Sequence, residues 1–393
     1  PMSQNIQGLR SWAPVIGLTL SAFIFNTSEF IPIGLLTDFA RFFQITEAQA
    51  GLIITVYAWI VTVLSLPLML LASKMEYKKL LLSILTIFVV SHILSGIATG
   101  FYTLMASRAG VAFSHAIFWS IATPVAVRIA PQGKKALALS MVVTGTSIAM
   151  IAGLPLGRII GLWLGWRATF ISIGIAAFVI GGFLMYFFPK VPNRDAISLK
   201  SLPAMLKNRA LIGVYVCCAL MFCAHYTGYS FIEPFLVQVA KMHETGITWA
   251  LTVFGVAGLV SSFLFSRYFD MVPIVFYLAA TFGVGAFLSL LKFSAQSIDG
   301  VMLLCVFWGI MFTFFALVFQ ATVIHLVPHG APIAMSIFSG IANVGIGSGA
   351  LVGGFTVTHF SIASIGYAGA IFAFIAGVIC LFLIRDFLRT DED

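Results

Sequence analysis

Residues 301–320 read VMLLCVFWGIMFTFFALVFQ, twenty consecutive positions without a charged side chain. A helix needs about 20 apolar residues to cross the hydrocarbon core of a bilayer. The run lacks the strict apolar–polar alternation of a barrel strand, so a helix is the form that satisfies its backbone amides in lipid. Working outward, similar runs recur near 12–36, 48–72, 80–99, 102–126, 136–160 and 167–188, and again near 210–234, 247–266, 273–291, 300–325, 332–357 and 364–384. Of 393 residues, 61% are hydrophobic and only 9% charged, where a soluble domain carries roughly 25% charged residues. The expectation is an all-α integral membrane protein of twelve transmembrane helices, with no room for a sizeable soluble domain.

Two sets of six helices are expected, at residues 1–188 and 210–393, joined by a polar linker at 189–209. Lysines and arginines test the orientation. Arg10, Lys74, Lys78, Lys79, Arg128, Lys134, Lys135, Lys190, Arg194, Lys200, Lys207, Arg209, Arg267, Arg385 and Arg389 fall on one side; Arg41, Arg158, Arg167, Lys241 and Lys292 fall on the other. The positive-inside rule places the richer side, with both termini and the linker, in the cytoplasm. The net charge of +8 therefore points to membrane lipid rather than nucleic acid. The halves echo one another: Asn26-Thr27-Ser28-Glu29-Phe30-Ile31-Pro32 in the first helix answers Ser230-Phe231-Ile232-Glu233-Pro234 in the seventh. Gly153-Leu154-Pro155-Leu156-Gly157 in the fifth answers Gly345, Gly347, Gly349, Gly353 and Gly354 in the eleventh. Paired bundles around a midplane site are a transporter architecture.

An ionisable group at mid-bilayer costs about 2.5–3.5 kcal/mol on insertion scales, so it needs a partner or a purpose. Glu29 lies a turn beyond Asn26 on the same face. Hydrocarbon disfavours the charged form of a carboxyl group, which suits Glu29 to exchanging a proton; the other reading is a carboxylate locked to a cation such as Arg108. Arg108, Ala112, His115 and Trp119 share one stripe of the fourth helix, with His115 either titrating or hydrogen-bonded between helices, and Arg108 tuning its neighbours. His225, Tyr229 and Glu233 recur every four residues on the seventh helix beside Tyr226. The aromatics suit small amphiphilic ligands, whereas Glu233 is expected to be solvated near the external end. Asn343 on the eleventh helix reads either as a substrate ligand or as an interhelical amide within a small-residue stripe. Gln320 and Thr313 pose a weaker form of that choice.

Other chemistries are absent. Gly133-Lys134-Lys135 lacks the glycine and hydroxyl of a phosphate loop, and no zinc-protease, hydrolase or paired-aspartate signature is present. Cys217, Cys218, Cys223, Cys305 and Cys380 all sit in apolar runs without zinc spacing, so buried thiols are expected rather than metal ligands. No cofactor, metal or enzymatic activity is expected. Without a nucleotide site, pumping requires an ion gradient, and the scarcity of acids favours protons.

Several motifs resemble the major facilitator superfamily, in its drug:proton antiporter group. Ser73-Lys74-Met75-Glu76-Tyr77-Lys78-Lys79 occupies the place of the family's gating loop, with Ser73 and Glu76 where the family has aspartate and glycine. Arg108-Ala109-Gly110-Val111-Ala112 resembles the fourth-helix arginine motif, and Gly153, Pro155 and Gly157 resemble the fifth-helix bend motif. Gly165-Trp166-Arg167-Ala168-Thr169-Phe170, Ala112 to Trp119 and Ala224-His225-Tyr226-Thr227 resemble bacterial sugar-efflux members. The resemblance implies the major facilitator fold, two pseudo-symmetric six-helix bundles, in a bacterial inner membrane. It implies export of arabinose, isopropyl-thiogalactoside-like sugars or amphiphilic drugs against protons, by a monomer that alternates its access. Under that reading Glu29, Arg108 and His115 couple protons, while Asn26, Trp119, His225, Tyr226, Tyr229 and Asn343 contact substrate. A proton-coupled uptake symporter or a passive facilitator uses the same parts.

Overall fold

The structure is a computed structural model that describes residues 2–72, 74–193, 199–200, 202–328 and 331–389. Ser73 of the loop motif, Arg194 and Asp195, and residues 196–198 and 201 of the expected linker lie outside the described residues.

All the described elements are helices. They run α1 (Met2–Gly34), α2 (Leu36–Phe43), α3 (Glu47–Ala72), α4 (Tyr77–Gly96), α5 (Phe101–Ile129) and α6 (Lys135–Ile148). A π-helical turn, Ala149–Gly153, then leads into α7 (Leu154–Leu164), followed by α8 (Trp166–Phe187). After the short α9 (Leu202–Leu206) come α10 (Arg209–Tyr229), α11 (Ile232–Gln238), α12 (Glu244–Tyr268) and α13 (Pro273–Leu278). A second π turn, Ala279–Gly283, precedes α14 (Val284–Ser289), α15 (Leu291–Ser294), α16 (Ile298–Leu326), α17 (Ala331–His359) and α18 (Ile365–Leu388). Among the described residues, eleven helices are long and apolar enough to cross a membrane. The twelfth expected span forms the shorter apolar helix Pro273–Ser289, which at 1.5 Å per residue measures about 25 Å.

Each break has a local cause. Pro155 has no N–H to donate and its ring crowds the preceding carbonyls; the π turn just before it widens the helix to absorb the mismatch. At α4 the Glu76 carboxylate caps the helix by accepting the Lys78 N–H, and it also accepts the Val191 N–H at 3.4 Å. The acid that replaces the motif's glycine thus ties this loop to the start of the linker, where Arg128 also donates to the Pro192 carbonyl at 2.8 Å.

The helices gather into two compact units. One comprises Pro1–Leu35 with Val63–Ile197, the other Leu36–Thr62 with Ser198–Asp393. Inside the first, α4 packs against α5 and α8, and α1 against α6, α7 and α8. Inside the second, α10 packs against α17 and α18, and α12 against α16. In lipid there is no hydrophobic drive between helices, so close backbone approach through small residues does the holding. A methyl group added at Gly349 would lie 2.7 Å from the Cys223 carbonyl oxygen, and one at Gly353 would lie 2.7 Å from that of Thr227.

Gly349→Ala and Gly353→Ala are therefore expected to destabilise by about 1–3 kcal/mol, as overpacking does. Gly340→Ala, whose added methyl meets nothing within 4 Å, should be neutral or stabilising by up to about 1 kcal/mol. The five buried free cysteines provide the readout, since a thiol-reactive dye reports them only as the detergent-solubilised protein melts.

Candidate functional site

The first unit carries the ionisable cluster. Ser28 and Glu29 are consecutive on α1, so they face different directions. Ser28 is fully buried, as is His92 of α4, and Arg108 of α5 is 2% exposed. Arg108 donates through NH1 to the Ser28 hydroxyl at 2.8 Å and through NH2 to the Ser28 carbonyl at 2.7 Å. His92 Nε2 lies 2.7 Å from that same hydroxyl. The guanidinium carbon sits 5.5 Å from the centre of the Phe170 ring, within cation–π range.

On its own side of α1, Glu29 faces His115, with Oε2 to Nε2 at 3.9 Å. That is an ion-pair distance but too long for a hydrogen bond, so a proton crosses it only if the gap narrows or a water bridges it. The His115 ring lies 6.4 Å from both Phe25 and Trp119. Trp119 is half-buried. Asn26, expected to bind substrate, donates its amide to Thr146 Oγ1 of α6 at 2.9 Å and to the Ala22 carbonyl at 3.1 Å. Gly153 and Gly157 press directly on α1: added methyls would fall 2.1 Å from Thr27 Oγ1 and 2.2 Å from Ile31 Cδ1. The bend motif thereby seats the helix that carries Glu29. Farther along, Arg158 is buried in α7 and donates to the Gly34 carbonyl at 2.6 Å. Expected among the charges of the external side, Arg158 closes the end of α1.

The second unit holds an aromatic cluster. His225 stacks on Phe312 with ring centroids 3.6 Å apart and planes 7° apart, and lies 4.9 Å from both Tyr226 and Tyr229. Trp308 stands 5.3 Å from His225, and Phe254 stands 5.0 Å from Tyr229. His225 Nδ1, the Tyr229 hydroxyl and Trp308 Nε1 are buried polar atoms without a hydrogen-bond partner among the described residues. Such atoms are costly, and a hydroxylated ligand is one thing that satisfies them. Asn343 on α17 turns its amide Nδ2 to the Ser339 carbonyl of its own helix at 3.0 Å, leaving Oδ1 without a described partner.

Glu233 is a correction. Expected to be solvated, it is 2% exposed and accepts both the Thr37 N–H at 3.1 Å and the Thr37 hydroxyl at 2.5 Å. Thr37 is the second residue of α2, whose first amides have no helical acceptor, so the carboxylate caps α2 and meets the positive end of its dipole. The chain breaks at Leu35 and at Ser230–Phe231 bring the two together.

Residues not singled out in the sequence complete both clusters: Ser28, His92 and Thr146 in one, Phe254, Trp308 and Phe312 in the other. A lone histidine within the apolar run of α4 was the available signal for His92. Among the described residues no three His, Cys, Asp or Glu side chains converge as a metal site requires. The first unit thus holds an acid–imidazole pair beside a fixed cation, and the second a polar–aromatic cluster.

A multi-pass helical protein with an acid–imidazole pair between the helices of one unit and an aromatic cluster in the other has the build of a transporter. The sequence profile of the Major Facilitator Superfamily matches residues 18–329 and, in an overlapping second match, 218–392. The chain belongs to that superfamily, and it is a transporter rather than an enzyme. It is 44% identical over 376 residues to a probable sugar efflux transporter of Pasteurella multocida (strain Pm70), covering 96% of this chain and 93% of that protein. Solved structures of similar fold include an inward-facing, unoccupied bacterial homologue of the human lysosomal transporter Spinster. That match has a TM-score of 0.81 at 15% identity over 96% of this chain and 98% of that one. A POT family transporter in complex with a thioalcohol-conjugated peptide gives a TM-score of 0.79 at 12% identity over 95% and 96% of the two chains.

Removing the Glu233 carboxylate leaves the Thr37 N–H and hydroxyl buried without that acceptor. Glu233→Ala should therefore cost about 1–3 kcal/mol, seen as a lower melting temperature in detergent. A stability unchanged from wild type would show that the carboxylate is solvated after all.

Proposed function

We propose that the chain is a proton-coupled antiporter that exports small sugars of the arabinose and isopropyl-thiogalactoside type, with amphiphilic drugs as further substrates, across a bacterial inner membrane. The observation that carries this reading is the pair of Glu29, 12% exposed, and buried His115, 3.9 Å apart, beside a buried Arg108 that cannot give up its proton. Glu29 binds a proton from outside and releases it inside, His115 is its partner, and Arg108 sets the local field. The aromatic cluster of His225, Tyr226 and Tyr229 supplies flat apolar faces and hydrogen-bonding tips for a sugar ring; Trp119 and Asn343 contribute further contacts. The 44% identical relative named as a probable sugar efflux transporter supports the substrate class. The lysine and arginine asymmetry supports cytoplasmic termini.

Alternating access converts the proton gradient into a sugar gradient. One charge moved through 100 mV is worth about 2.3 kcal/mol, which sustains a concentration ratio near fifty-fold, or roughly 1.7 decades. In proteoliposomes with an imposed membrane potential, Glu29→Gln is expected to bring that ratio to about one, because a glutamine binds no exchangeable proton. Sugar–sugar counterflow, which needs no net proton movement, should persist. Concentrative transport that survives Glu29→Gln would instead support coupling by another group, and wild-type transport without proton movement would support a passive facilitator.

A further inference from the structure

His92 is a buried titratable group that the coupling scheme above leaves unused. It lies on α4 with no exposed surface, between Phe88 at 4.4 Å and Phe170 at 5.8 Å, ring centroid to ring centroid. Its Nε2 lies 2.7 Å from the Ser28 hydroxyl. That hydroxyl is already an acceptor for Arg108 NH1 at 2.8 Å. A serine hydroxyl has one proton and two lone pairs. With one lone pair taken by arginine, it either donates its proton to Nε2 or accepts a proton from it. In both cases His92 fixes which way the hydroxyl points, and so where the NH1 arm of Arg108 is held.

The helices are built to keep this arrangement tight. Ser95 of α4 and Ser107 of α5 are hydrogen-bonded through their hydroxyls at 2.8 Å. At Gly110, two residues beyond Arg108, an added methyl would lie 2.3 Å from Ser91 Oγ, the residue before His92. The glycine of the arginine motif is thus what lets α4 come close enough to place its imidazole. The charged and titratable groups on the helices packed around His92 are Arg10 and Glu29 on α1, Tyr102, Arg108, His115 and Arg128 on α5, and Arg167 and Tyr186 on α8. Arg167 donates to the Ala98 carbonyl at 2.6 Å, past the end of α4, which leaves Arg108 as the cation joined to His92 through Ser28.

Given the proton coupling proposed above, we propose that His92 is a positioning residue for it: through the Ser28 hydroxyl, His92 anchors the Arg108 guanidinium beside Glu29 and thereby sets the pH at which the transporter exchanges its proton. Neither His92 nor Ser28 carries the transported proton. Their effect is on where the fixed charge of Arg108 stands, one residue along α1 from the acid.

The test is the pH midpoint of sugar-driven proton release in proteoliposomes, measured for wild type, Ser28→Ala, His92→Leu, the double variant and His92→Gln. Both single variants should displace the midpoint in one direction, by roughly one pH unit, a tenfold change in proton affinity. The double variant should move it no further than either single change, because both cut the same link. His92→Gln, whose amide can replace the contact to Ser28, should remain near the wild-type midpoint. If His92→Leu does not fold, Ser28→Ala and His92→Gln still decide the matter. An unmoved midpoint in Ser28→Ala with coupling intact, or shifts that add in the double variant, would overturn the proposal while leaving the antiporter reading standing. Wild-type transport without proton release would overturn both.

Discussion

Arg108 cannot shed its charge in a protein, so burying it within a membrane-spanning helix obliges the fold to bring oxygen acceptors to it. Ser28 meets that demand twice, once with its hydroxyl and once with its backbone carbonyl. A carbonyl in mid-helix ordinarily accepts the amide four residues on; for Ser28 that residue is Pro32, which has no N–H, and the guanidinium arm takes its place, binding α1 to α5 at a fixed register. Everything else in the first unit is arranged about that register. Gly153 and Gly157 let α6 and α7 settle against α1, Gly110 lets α4 close on α5, and Phe170 of α8 faces the guanidinium. Because the Ser28–Arg108 bonds and the glycine contacts to Thr27 and Ile31 fix the rotation of α1, they also fix the direction in which Glu29 points.

The second unit solves a different problem. Its central helix α10 carries aromatic and imidazole side chains rather than permanent charge, and its packing depends on a glycine face of α17 that brings two backbones into contact. Buried polar atoms without partners, as in the aromatic cluster, cost stability. A ligand that satisfies them recovers that cost on binding. Glu233, the one acid of α11, is spent on capping α2, so it adds no charge to the aromatic cluster.

The spans were legible because hydrocarbon thickness imposes a length, and the observed helices begin and end within a few residues of the expected ones for most of the chain. The larger departure is α1, which begins at Met2 rather than near 12, while the stretch 273–291 keeps close to its expected bounds but contains a π turn and ends at Ser289. Glu29, Arg108, His115 and His225 stood out because charge and imidazole are expensive in lipid. What spacing along one helix does not reveal is how that helix is rotated against its neighbours. For that reason the Ser28–His92–Arg108 contacts, the Asn26–Thr146 bond and the addition of Trp308 and Phe312 to the aromatic cluster emerged only in three dimensions. Glu233 was misread for a related reason: the local breaks at Leu35 and Ser230–Phe231 redirect the chain, and no periodicity reports a redirection.

The division of chemistry between the units has an energetic consequence for the proposed antiport. A membrane potential does work only on charge that moves through it, at about 2.3 kcal/mol per elementary charge per 100 mV. In the described membrane helices the groups able to gain or lose charge beside a fixed cation are those of the first unit. On the proposed reading the aromatic cluster of the second unit holds the sugar through stacking and hydrogen bonds. Coupling and selectivity are then separable properties. In the proposed antiport a change among His225, Tyr229 and Trp308 would alter which solute is carried at an unchanged driving force, whereas a change around Arg108 would alter how much of that force is used. A transporter built this way can broaden or narrow its substrates without rebuilding the proton site, because the buried arginine and its serine clamp lie in the other unit.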